Sequence, residues 1–100
     1  MAEATGDIQF RKEMGITRQE FLRNLAGALS GRPYRVEQNE VIVSDAERRV
    51  AITLCEQHEQ RIGSLKLPRI RVEFSFSGYS KSEAERLMTH IDIHLQRGGG

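Results

Sequence analysis

Every cysteine and histidine of the chain falls into one of two short pairs. Cys55 and His58 stand three apart; His90 and His94 stand four apart. A helical i, i+4 histidine pair presents two imidazoles to one ion, and a thiolate beside imidazole suits zinc. Cys55, His58, His90 and His94 are therefore the candidate metal site, and zinc is its candidate ion. The site exists only if two distant segments meet. Histidines on the polar border of a buried stripe commonly turn to water instead.

The second constellation is an alternating surface. From Arg69 to Ser77 and from Arg49 to Cys55, every second residue is apolar. Arg49, Thr53, Arg69, Arg71, Glu73 and Ser75 then share the opposite face. Arg69 and Arg71 project side by side and could grip an acidic protein segment or a phosphate chain. The competing reading is an ordinary solvated face, with Glu73 paired to an arginine across strands.

Catalytic arrangements are thin. The chain has no G-x-S-x-G elbow, no phosphate-cradling glycine loop and no H-E-x-x-H. Cys55 as a nucleophile would need a positioned base, and His58 is near only in sequence. Glu83 and Glu85 lie at a helix start, where they serve the helix dipole. The balance leans away from an enzyme.

Two helices and a run of strands must position these residues. Thr17 is an N-cap with Glu20 at N3, a capping box, and Ile16 faces Phe21 as a hydrophobic staple. Phe21, Leu22, Leu25, Ala28 and Leu29 form the apolar stripe, and Gly31 with Pro33 ends the helix. Tyr34–Glu37 and Val41–Ser44 flank a tight turn at Gln38-Asn39. Strands follow over Arg49–Cys55, Gln60–Leu67 and Arg69–Ser77. Ile62, Leu65 and Leu67 share no single period-two phase, which predicts a bulge near Gly63. Ser80 and Glu83 form a second capping box. Ala84, Leu87, Met88, Ile91 and Leu95 make the second helix's stripe, and Ile93 falls nearly opposite it.

This order predicts an α+β domain of two layers. An antiparallel sheet of about five strands carries an N-terminal and a C-terminal helix on one face, in the order α-β-β-β-β-β-α. The other face is left to solvent. Residues 1–15 are polar and aperiodic and read as a disordered N-terminal arm, with Met14 a possible true start. Residues 16–97 form the single α+β domain, and residues 98–100 a flexible glycine tail. A terminal Gly-Gly resembles the tails of ubiquitin-like proteins and sulfur carriers, which are activated as acyl-adenylates. The resemblance covers only Leu95 to Gly100, and a helix here replaces the strand that precedes those tails. Helix termination by glycine explains the tail without it.

Composition narrows the partners. At 100 residues the chain is one domain with little room for a deep cleft. Its formal charge of +1 argues against a general nucleic-acid or membrane-surface binder. The absence of Trp and the few other aromatics argue against sugar binding or base stacking. One cysteine excludes an internal disulfide, and no apolar stretch forms a signal peptide or membrane span. The expectation is a small soluble protein of a bacterial cytoplasm, acting as a protein-interaction or assembly module through its open sheet face or edge. It would be a monomer or an edge-paired homodimer. A nucleic-acid binder using the arginine face and a small zinc protein are the alternatives.

Overall fold

The computed structural model describes residues 8–45 and 47–99; the side chains of residues 45, 56–58 and 96–99 lie outside that description. The elements run β1 (Ile8–Met14), α1 (Arg18–Ala28), β2 (Tyr34–Glu37), β3 (Glu40–Asp45), β4 (Arg48–Ile62), β5 (Leu65–Ser77) and α2 (Lys81–Gly99). The five strands form one antiparallel sheet in the order β1-β5-β4-β3-β2. The fold is α+β, with both helices on one side of the sheet.

The helices begin where their caps dictate. The Thr17 Oγ1 accepts from the Glu20 amide at 3.1 Å, and the Thr17 amide donates to the Glu20 carboxylate at 2.9 Å. Ser80 and Glu83 repeat the exchange at 3.2 and 2.9 Å. Each box satisfies amides that no preceding turn can reach. The staple holds too, because Ile16 and Phe21 are both buried.

One core lies between the layers. Phe21, Leu25, Ala28 and Leu29 of the first helical segment meet Ala84, Leu87, Met88, Ile91 and Leu95 of α2. Beneath them lie Val41, Val43, Val50, Ile52, Leu54, Ile70, Val72, Phe74 and Phe76. The expected stripes are therefore the buried ones, except that Leu22 is partly buried at the core's edge, and Ile93 is exposed.

Four expectations are corrected. Part of the expected disordered arm is strand β1, so the order begins with a strand before α1; residues 1–7 lie outside the described residues. Ile8, Phe10 and Met14 alternate inward and pack on the core. The strands expected over 49–55, 60–67 and 69–77 are only two long strands, and Gly63-Ser64 is the turn between them. Gly63 takes φ +62° at the first turn position, as a two-residue hairpin turn opened by glycine requires. The bulge lies between Leu54 and Glu56, at Cys55, not at Gly63. Pro68 lies within β5, opposite Glu59. Helix α2 continues through Gly99, where a flexible tail from Gly98 had been expected; Gly100 lies outside the described residues.

Candidate functional site

The register defines the open face. Thr53 stands opposite Glu73, Ala51 opposite Ser75 and Arg49 opposite Ser77, while β1 sets Arg11 opposite Glu73 and Glu13 opposite Arg71. Directly opposed residues point the same way, so Arg49, Thr53, Arg69, Arg71, Glu73 and Ser75 do share the face that the helices leave uncovered.

Several charges on it pair across the strands. One Glu13 oxygen pairs with Arg69 at 3.2 Å and the other with Arg71 at 3.4 Å. Arg11 pairs with Glu73 at 3.2 Å. The hydrogen bond from Arg69, then that from Arg71, holds the Glu13 carboxyl below its ordinary value of 4.5. Glu13 and Arg11 come from the segment expected to be disordered, so the sequence reading missed the shared partner of Arg69 and Arg71 and the arginine that pairs with Glu73. Its available signal was the alternation of Ile8, Phe10 and Met14. Lys12 breaks that pattern, and its ammonium reaches Asp92 of α2 at 2.8 Å.

Beyond the Cys55 bulge the face changes character. Neighbouring strands stop at Met14, opposite Ile70, and at Glu40, opposite Thr53. Past those points β4 and β5 continue alone as a two-stranded arm. Its five outer pairs, from His58 and Arg69 to Ile62 and Leu65, extend it about 17 Å. The molecule is accordingly long, at 51 by 27 by 26 Å. Leu65 and Leu67 are in phase with Arg69 and Arg71, and Ile62 opposes Leu65. Three aliphatic side chains thus sit together on the open face of the arm, 53, 61 and 40 % exposed for Ile62, Leu65 and Leu67. On the reverse face Arg61 stands opposite Lys66.

Among the described residues the expected zinc ligands Cys55, His90 and His94 form no shared ion site. Cys55 is exposed at the bulge, its thiol directed to the Thr53 carbonyl at 3.7 Å. The backbone register puts His58 opposite Arg69; its side chain lies outside the described residues. His90 and His94 are adjacent, ring centres 4.6 Å apart. His90 Nε2 lies 3.0 Å from the Ala28 carbonyl and His94 Nδ1 lies 3.1 Å from the His90 carbonyl. A carbonyl only accepts, so both nitrogens carry the proton. The first of these bonds ties α2 to the end of α1. Among the described residues no three His, Cys, Asp or Glu side chains form a possible ion site.

No family model and no curated protein matches the chain. Among the described residues no helix is long and apolar enough to cross a membrane.

Proposed function

We propose that the protein is a non-enzymatic interaction module that captures an extended protein segment on the open sheet face, led by the β4–β5 arm. One observation carries the reading: Ile62, Leu65 and Leu67 are gathered on a single uncovered face of a projecting hairpin. A two-stranded ribbon is marginal on its own in water. A cluster of exposed aliphatics on one marks a surface that another chain covers. Arg69 and Arg71 follow on the same strand and face. A segment that is apolar at one end and acidic at the other suits this arrangement, its carboxylates competing with Glu13 for the guanidiniums. Nucleic acid suits the face less well, because Glu13 already pairs with Arg69 and Arg71 and Glu73 with Arg11. The exposed Cys55 thiol suits a reducing, cytoplasmic setting.

The test compares tagged wild-type protein with a triple variant, Ile62→Thr, Leu65→Thr and Leu67→Thr, after nuclease treatment of a native lysate. Circular dichroism first establishes that the variant keeps its fold. A stoichiometric partner lost with the triple variant, and weakened by Arg69→Gln with Arg71→Gln, supports the module. Equal retention by wild type and variant, or no retention at all, overturns it.

Edge pairing of two copies is the second reading. It rests on β2, an edge strand exposed along its length that carries Tyr34 and Val36, 40 and 49 % exposed. Light scattering decides it: a dimer abolished by Val36→Lys supports edge pairing, and a monomer at high concentration ends it.

A further inference from the structure

At the end of the molecule away from the arm, three arginines from three separate segments line one concavity of about 370 Å³. Arg32 comes from the loop after α1, Arg48 from the first position of β4, and Arg86 from α2. On α2 the lining residues are Glu83, Arg86, Leu87 and His90, which is one face of the helix at i, i+3, i+4 and i+7. Tyr79 completes the wall.

The parts are held in place. The Arg48 guanidinium lies 4.6 Å above the Tyr79 ring and 3.4 Å from the Glu83 carboxylate. Tyr79 packs edge-on against Phe76 at 5.3 Å, which fixes it to the core. His90 is fixed by its bond to Ala28. Glu83 is committed twice, to the Ser80 amide and to Arg48. Arg32 and Arg86 make no ion pair among the described residues. Among the described lining residues, three guanidiniums face one carboxylate in a single concavity, on a chain whose formal charge is only +1. General basicity does not account for that concentration.

We propose that this concavity binds a phosphate dianion, either inorganic phosphate or the phosphate group of a small monoester. A phosphate monoester carries about −1.5 to −2 charges at neutral pH, and guanidinium forks match its oxygens bidentately. Arg32 and Arg86 supply forks that make no ion pair among the described residues, and Arg48, braced by Tyr79 and Glu83, supplies an oriented one. The Leu87 and Tyr79 side chains give the organic part of an ester an apolar wall. The site lies apart from the arm and does not depend on the interaction reading.

The test is a titration of ¹⁵N-labelled full-length protein with inorganic phosphate, with phenyl phosphate and with acetate, at constant ionic strength and pH 7.5. The expected result is a saturable shift of the Arg32, Arg48 and Arg86 side-chain signals with phosphate and not with acetate. Tighter binding of phenyl phosphate assigns the ester; equal binding assigns the free ion. Losing one charge-assisted fork in Arg86→Ala or Arg32→Ala weakens binding about tenfold or more. The Lys variants, which keep the charge and lose the fork, fall between. Arg49→Ala, on the open face, leaves binding unchanged. Linear shifts spread over all arginines alike, or saturable binding indifferent to Arg32 and Arg86, overturns the assignment.

Discussion

Phe10→Ala decides whether β1 is part of the domain. Phe10 packs on the core and meets Phe76 edge-to-face, with ring centres 5.5 Å apart. Truncating a fully buried Phe costs about 3–5 kcal/mol. Phe10 stands at the sheet edge and is only partly buried, so about half of that applies, including about 0.5–1 kcal/mol for the aromatic pair. The expected loss is about 2 kcal/mol. For a domain of this size that lowers Tm by about 10–15 °C and moves the urea midpoint by about 1 M. Arg11→Ala is the control on the same strand. Its side chain is 71 % exposed and its pair with Glu73 lies in solvent, so the change costs about 0.5 kcal/mol or less. Urea unfolding of both variants, followed by circular dichroism, is the assay. If Phe10→Ala and Arg11→Ala unfold at the same midpoint as wild type, the strand does not pack and its register with β5 is wrong.

Two glycines separate by what a methyl group would meet. Gly78 has φ +83°, and an added Cβ would lie 3.1 Å from the Glu47 carbonyl oxygen, so Gly78→Ala destabilises by about 1–2 kcal/mol or more in thermal melts. Gly27 lies within α1, where an added Cβ meets only His94 at 3.7 Å, so Gly27→Ala stabilises by about 0.5–1 kcal/mol in the same melts. Acid acts through Glu13, Glu20 and Glu83, whose folded pKa values lie below the ordinary 4.5 because Arg69, the Thr17 amide and the Ser80 amide respectively favour their charged forms. Their contribution is complete above that value and fades as pH falls through the folded pKa. Urea midpoints therefore stay level near neutrality and decline below about pH 4.5, and the triple Gln variant shows a shallower acid limb.

Where local rules agree with one another, the sequence sufficed to read the fold. Both capping boxes, both apolar stripes and the alternation from Ile70 to Phe76 are short-range signals, and the structure repeats them residue for residue. Strand β1 escaped because Lys12 occupies an inward position, where its aliphatic stem crosses the sheet edge to bring the ammonium to Asp92, eighty residues away. No local pattern announces such a partner. The arginine face was legible as a face, since alternation places Arg69 and Arg71 side by side. Their neutralisation was not, because Glu13 reaches them only through the β1–β5 pairing. The cationic concavity was invisible for the same reason: Arg32, Arg48 and Arg86 are neighbours only once the segment after α1, the start of β4 and α2 come together.

The Cys55 bulge shows how one residue creates the candidate surface. In β4 the inward residues are Val50, Ile52 and Leu54, and an unbroken strand would set Ile62 in the same phase, pointing toward the helix side. One extra residue at Cys55 shifts the pairing so that Ile62 meets Leu65, which lies in the phase of Arg69 and Arg71. A one-residue slip exchanges the two faces of a strand. Three aliphatics thereby reach the open face beyond the last flanking strand, where no element of the described chain covers them. Without the bulge Ile62 would stand on the opposite face from Leu65 and Leu67, and the arm would present no shared apolar surface. The irregularity in the sheet and the exposed cluster at its tip are thus one feature, which is why the interaction reading rests on the arm rather than on the paired arginines at its base.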